Sequence, residues 1–206
     1  SYGHIRFIVS GASAIDKKVA KGFNDFGILP VQGYGLTETS PVITAENEKC
    51  IKYGTVGLPM PEVQVKIEDK NEKGIGEIVA KGPNIFLGYY NDKVSTDNSF
   101  VDGWFRTGDL GYIDEDGFLY ITGRKNDMIV LSNGKNVYPE EIEQLINKLP
   151  YVKESLVYTR NSSKMDTMLM AKIVYDEHEI KSCFPGSSTD DYKDLIWNDI
   201  NTINKS

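Results

Sequence analysis

The sequence predicts a mixed α/β and α+β fold, and three observations predict it. The chain opens on a compact apolar run, a small-residue turn and an amphipathic stretch, which reads as strand, turn, helix. Between about residues 51 and 125, apolar residues alternate with polar ones in paired runs joined by Gly-, Asn- and Asp-bearing turns, the pattern of antiparallel hairpins. Beyond that the apolar spacing turns helical, with strand-like runs in between. The expected organisation is an α/β portion over 1–50, an antiparallel β unit over 51–125 and an α+β unit over 126–206.

Each element has its own signal. Ile5 to Val9 is apolar enough to be a buried strand. Ser13 is placed to cap the following helix, with Asp16 as a shortened capping-box acid, and the helix is expected to reach Phe26 and stop at Gly27. A short strand then leads into Gly33-Tyr34-Gly35. Val63, Val65 and Ile67 alternate with Gln64 and Lys66, and the turn Asn71–Gly74 joins this strand to Glu77–Lys81. Leu110–Ile113 and Phe118–Ile121 flank the turn Asp114–Gly117 as a second hairpin. Pro139, followed by Glu140 and Glu141, starts a helix where its dipole favours acids, and Ile142, Leu145, Ile146 and Leu149 form one apolar face. Two strands, Val152–Tyr158 and Met168–Tyr175, precede a polar loop and a last helix whose face carries Tyr192, Leu195, Ile196 and Ile200.

The bulk composition excludes several functions. Of 206 residues, 40% are hydrophobic and 26% charged, as in ordinary globular proteins. A net charge of -7 argues against sequence-independent nucleic-acid binding, though one local site for a small anion can still be positive. Runs such as FIV and MIVL are far too short to span a bilayer. The two cysteines, Cys50 and Cys183, and the two histidines, His4 and His178, form neither a disulfide framework nor a metal knuckle. A reduced, cytoplasmic protein is expected.

Four segments carry polar groups in chemically suggestive order. Gln32–Pro41 offers glycines for close backbone approach, the flat ring of Tyr34, the hydroxyls of Thr37 and Thr39 as phosphate donors, and Glu38 as a hard oxygen for Mg²⁺. Arg106–Asp109 offers a carboxylate able to accept two vicinal ribose hydroxyls. Gly123–Asp127 presents Arg124, a planar donor for phosphate or ribose oxygens. Ser132–Pro139 is a polar loop feeding a helix N-terminus. Taken singly, an ordinary turn or helix entry explains each of the four.

Their order is more telling. YGLTETSP, GEIVAKGPNIFLGYY, GWFRTGDLGYIDEDGFLYITGRKND and NGKNVYPEEIE together resemble the core motifs of the adenylate-forming superfamily: acyl-CoA synthetases, peptide-synthetase adenylation domains and luciferases. The resemblance runs from about Ile5 to Tyr158 and, in the pairing of GRKND with NGKNVYPEEIE, is most similar to bacterial long-chain fatty acid–CoA ligases. It implies an enzyme in which a carboxylate attacks the α-phosphate of ATP, with Mg²⁺ offsetting charge, and coenzyme A then displaces AMP. It further implies that Gly11, Ala12 and Ser13 line the adenine, with Gly33 and Gly35 flanking Tyr34, which stacks on it. Thr37 would touch the α-phosphate, Glu38 would hold Mg²⁺, and Asp109 would accept the ribose hydroxyls with Arg124 beside it. Asn126, where relatives carry Asp or Lys, would be the hinge of a rotating C-terminal domain, with Asp127 the alternative pivot, and Gly134 would approach coenzyme A.

By the same resemblance, a phosphate loop expected upstream and a lysine motif expected after the last helix are not in these residues, and Lys205 lacks that motif's context. The expectation is a fragment: the end of a large α/β domain with its β subdomain, plus a truncated small domain, unable to adenylate by itself. Its exposed edge would allow pairing with a second copy. The parent would take fatty acid, ATP and coenzyme A, with peripheral membrane association open. A medium-chain or aryl acid substrate, a carrier-protein-loading adenylation domain and a non-catalytic AMP-binding module also remain open.

Overall fold

The computed structural model describes residues 4–11, 15–131, 134–161 and 167–203. The chain divides into two compact units, Ser1–Lys125 and Asn126–Ser206.

Unit 1 begins with β1 (Phe7–Ser10), α1 (Lys17–Asp25) and β2 (Leu29–Gly35), where β2 returns parallel to β1 with Phe7 opposite Leu29 and Ser10 opposite Gln32. The helix is capped by Asp16, whose Oδ1 accepts from the backbone N–H of Lys18 at 2.7 Å and of Val19 at 3.3 Å. This corrects the expectation of a capping-box acid: Asp16 is itself the cap, because it stands one residue before the first helical turn and its carboxylate reaches two of that turn's donors. Ser13 lies outside the described residues. The helix gives way at Phe26, and Gly27, at φ 78°, turns the chain. The expected burial of the first strand also needs correction: Ile5, Phe7 and Val9 are 54%, 45% and 71% exposed. Among the described residues β1 has only β2 beside it and is an edge strand.

Two further strands, β3 (Val42–Ala45) and β4 (Leu58–Pro59), complete this sheet in the order β1-β2-β3-β4. The second sheet holds β5 (Gln64–Glu68) and β6 (Gly76–Lys81), then, after α2 (Lys93–Asn98), β7 (Phe100–Val101), β8 (Trp104–Ile113) and β9 (Leu119–Arg124). Long β8 is its axis. It pairs antiparallel with β6 on one side, and with β7 and β9, at its two ends, on the other. Both expected hairpins form, with Gln64 opposite Lys81 and Ile113 opposite Leu119. The tip of the β8–β9 hairpin is bracketed by Lys52, whose Nζ lies 2.7 Å from both Asp114 Oδ2 and Asp116 Oδ2. Buried residues of the strands and their connections form two small cores, Val56/Ile67/Ile78/Leu119 and Ile43/Val63/Ala80. Tyr34 packs against both.

Unit 2 begins with two short antiparallel strands, β10 (Ile129–Val130) and β11 (Asn136–Val137). Next is α3 (Pro139–Ile146), with Pro139 in its first turn beside Glu140 and Glu141. Then β12 (Val152–Asn161) and β13 (Thr167–Tyr175) form an antiparallel ribbon, followed by α4 (Glu177–Cys183) and α5 (Tyr192–Ile203). Tyr151, Ile180, Tyr192 and Ile196 are its core. The apolar face read for α3 is only partly buried: Ile146 is 2% exposed but Leu145 41%. The sequence reading also passed over α4, which Asp176 caps by accepting from the N–H groups of His178 at 2.8 Å and Glu179 at 3.1 Å. Lys153, hydrogen-bonded to the same carboxylate, and those two amides hold the Asp176 carboxyl down at about 2.

Candidate functional site

Apart from Gly11, Ala12 and Ser13, the expected site residues of unit 1 fall on two segments: the end of β2 with the turn after it, and the facing ends of β8 and β9. At the first, β2 ends at Gly35 and a single 3-10 turn covers Thr37–Thr39. A Cβ on Gly35 would lie 1.7 Å from the carbonyl oxygen of Pro41. The glycine is thus required by the folding back of this loop on itself, where the sequence suggested room for a ligand. Thr39 is likewise a correction to the reading of two phosphate donors. It is fully buried; its hydroxyl lies 2.6 Å from Pro41 O and 2.9 Å from Leu36 O, and it accepts from Leu36 N–H at 2.9 Å. It closes the turn and is not presented outward. Thr37 is exposed.

Three residues that sequence reasoning missed hold this turn from outside. Asn84 donates from one amide nitrogen to Thr39 O at 2.9 Å and Val42 O at 2.8 Å. Tyr89 donates to Glu38 Oε1 at 3.0 Å, and Phe86 N–H donates to Glu38 O at 2.8 Å. All three lie in the stretch PNIFLGYY, whose glycine and aromatics marked it as a loop without disclosing what it touches. Glu38 is fixed at both backbone and side chain while remaining partly exposed.

At the second segment, Asp109 and Arg124 stand directly opposite each other on β8 and β9. Asp109 is 5% exposed. Its Oδ1 accepts from Arg124 Nε at 3.1 Å, and its Oδ2 accepts from the Tyr34 hydroxyl at 2.6 Å. Burial first, and the neighbouring Asp109 carboxylate second, push the Tyr34 phenol far above its ordinary range, so it stays a donor. Thr107 sets the approach to Asp109: its hydroxyl donates to Ile78 O at 2.7 Å and accepts from Asp109 N–H at 3.1 Å. Gly108, at φ 73°, makes the intervening bend. A carboxylate has about four acceptor positions. Tyr34 and Arg124 take two, and two are left for further donors.

Of the remaining expected residues in unit 1, Gly33 lies on β2 opposite Ala45 and Gly11 is exposed just after β1. Ala12 and Ser13 are outside the described residues. In unit 2, Asn126 and Asp127 form a turn directly after Lys125. Gly134, at φ 79°, sits in the β10–β11 connection, where its N–H donates to Leu131 O at 2.8 Å. Ser132 and Asn133 lie outside the described residues.

Comparison with known proteins gives two family matches. Residues 1–90 match the AMP-binding enzyme model, and residues 126–206 match the AMP-binding enzyme C-terminal domain. The chain is 39% identical over 155 residues to a long-chain-fatty-acid–CoA ligase, FadD15, of Mycobacterium bovis, covering 75% of this chain and 25% of that one. It is also 39% identical over 184 residues to a 2-succinylbenzoate–CoA ligase of Listeria monocytogenes, covering 86% and 38%. Among solved structures, it matches the o-succinylbenzoate CoA synthetase of Bacillus subtilis in complex with its acyl-adenylate intermediate at a TM-score of 0.80, with 30% identity over 92% of this chain and 41% of that one. ATP-bound MatB from Rhodopseudomonas palustris matches at 0.76, with 34% identity over 85% and 36%. The chain thus spans between a quarter and about two fifths of the length of these relatives.

Proposed function

We propose, on the premise that the chain belongs to the AMP-binding enzyme family, that it serves an ATP-dependent ligase joining a carboxylic acid to coenzyme A through an acyl-adenylate. Its fold is that of the adenylate-forming enzymes. The observation that carries the functional reading is Asp109: a buried carboxylate held on one side by Tyr34 and on the other by Arg124, with two acceptor positions in hand. Vicinal 2′- and 3′-hydroxyls of a ribose fill two such positions. The face of Tyr34, whose hydroxyl is already committed, then meets the adenine, between Gly33 and Gly35, with Gly11, Ala12 and Ser13 on the base's other edges. Thr37 donates to the α-phosphate.

Magnesium suits the same place. Glu38 presents a hard oxygen, and among the described residues no cluster of three or more acidic, His or Cys side chains competes for an ion. One carboxylate completed by phosphate oxygens is the usual setting for this ion. When bound, Mg²⁺ offsets the negative charge of the phosphates. Glu38 and Thr37 would then be the residues nearest the reacting phosphorus. In unit 2, Asn126, or Asp127 after it, would be the pivot between the two half-reactions, and Gly134 the point of closest approach of coenzyme A.

For the acid, our first reading is a long-chain fatty acid, supported by the similarity to FadD15 and by the GRKND and NGKNVYPEEIE segments. A second reading, 2-succinylbenzoate, is favoured by equal identity over a longer alignment with the Listeria enzyme. Acid-dependent ATP–pyrophosphate exchange by the full-length parent with each acid separates them. The nucleotide assignment is tested by AMP titration. Asp109→Ala is expected to weaken AMP at least about 100-fold, the effect of losing two hydrogen bonds to a charged group. Equal AMP affinity in Asp109→Ala and the parent chain would remove the ribose assignment.

A further inference from the structure

Lys125, the last residue of unit 1, is tied to that unit twice. Its backbone N–H donates to Gly108 O at 2.8 Å, and its Nζ donates to Glu77 Oε2 at 2.7 Å. Glu77 stands on β6, is 4% exposed and also accepts from Arg106 on β8. Burial by itself raises a carboxyl group's pKa; here the hydrogen bonds from Arg106 and Lys125 outweigh it and hold Glu77 below its usual range. One partner would already satisfy the buried charge, and Arg106 provides it in two hydrogen bonds. Lys125 is a second cation on the same oxygen, and it directly follows β9, a strand that does not pair with β6. What it adds is positional. The Lys125 amide closes the bend at Gly108, next to Asp109, and the residue after Lys125 begins unit 2.

We propose that Glu77 is a positioning residue: through Lys125 it fixes the end of β9 to unit 1, so that any swivel starts at Asn126 and cannot spread back into Arg124 and the Asp109 turn. A hinge needs only a few residues to absorb backbone change, and a lysine anchored at both ends sets where that change begins. The proposal rests on the reading of Asn126 or Asp127 as a pivot. It accounts for why a charged, partly exposed lysine between Arg124 and Asn126 is bound to a carboxylate in the sheet interior.

The test uses the 206-residue chain and reads backbone order parameters and hydrogen exchange at residues 123–127. In the parent, Lys125 is expected at the rigid value of about 0.85. Lys125→Met is the clean variant, because Glu77 keeps Arg106 and the sheet keeps its pairing. It is expected to speed exchange of the Lys125 amide at least about 10-fold and to lower the order parameter at both Lys125 and Arg124, as release of a local anchor does. Lys125→Arg, which can reach the same carboxylate, should restore both, and Glu77→Gln should reproduce Lys125→Met. Unchanged exchange and order in Lys125→Met, or a mobile Lys125 in the parent, would overturn the anchor. AMP titration of the same samples stands apart: a parent that fails to bind AMP overturns the nucleotide reading, while the exchange data still decide the anchor.

Discussion

Two short, polar, glycine-bearing turns dominate the expected chemistry of this chain, and they differ in how closely the glycine-bearing segments at and beside them are packed. The bend at the base of the β8–β9 hairpin is tied to other parts of unit 1: the hydroxyl of Tyr34, 75 positions earlier, donates to Asp109, the Thr107 hydroxyl donates to Ile78 O, and the Lys125 backbone N–H donates to Gly108 O. Among the described residues, the turn between β10 and β11 carries two backbone bonds, Leu131 N–H to Lys135 O at 3.0 Å and Gly134 N–H to Leu131 O at 2.8 Å, between strands of two residues each. A group that must keep one position is buried and fixed by distant partners. On the proposed reading the first turn grips nucleotide throughout, and the second acts only in the coenzyme A step.

Three substitutions break or sharpen that contrast. The largest effect is expected from Gly35→Ala, which drives a methyl into the Pro41 carbonyl at 1.7 Å and displaces the loop beside Tyr34. A backbone collision cannot be relieved by a rotamer, so about 3 kcal/mol or more of unit 1's stability should be lost. Denaturant unfolding followed at Trp104 and Trp197, one tryptophan in each unit, tells whether the loss is confined to unit 1. Tyr34→Phe is intermediate. It removes one donor from the buried Asp109 carboxylate and should cost about 1–3 kcal/mol in the same measurement. The smallest is Gly134→Ala. There a Cβ meets nothing within 4 Å, and only the positive φ of 79° resists it. About 1–2 kcal/mol is expected, in unit 2 alone. A Gly134→Ala cost as large as that of Gly35→Ala would erase the distinction between the two turns.

Much of the fold was legible because its signals are local. The alternation of Val63, Val65 and Ile67, the turn at Asp114–Gly117 and the Pro139-Glu140-Glu141 helix start each sit inside one element, and each formed. The helix α4 was missed although Asp176 was a legible cap, because its seven residues are too few to establish a period. The buried reading of β1 failed because an apolar run specifies a strand but not what lies beside it. In the site, the motifs marked Tyr34, Asp109 and Arg124 one by one. No local pattern encodes the contact of Tyr34 with Asp109, or that Glu77 collects both Arg106 and Lys125, since these bonds join residues 29 to 75 positions apart. Thr39 shows the converse: beside Thr37 it looked like a second donor, and only burial distinguishes a residue that makes the turn from one the turn displays.

The bracket at the far end of the β8–β9 hairpin has a practical corollary. Asp109 and Arg124 face each other across one rung at the base, so their separation owes nothing to how many residues run out to the tip and back. Length is a free variable there, and the hairpin is a natural port for a grafted peptide, an epitope or a fluorophore. Lys52 sets the terms of the graft. Because it holds Asp114 and Asp116 together, leaving both in place and opening the chain at the exposed Glu115 between them keeps the tip fastened to the β3–β4 connection while new sequence is carried into solvent.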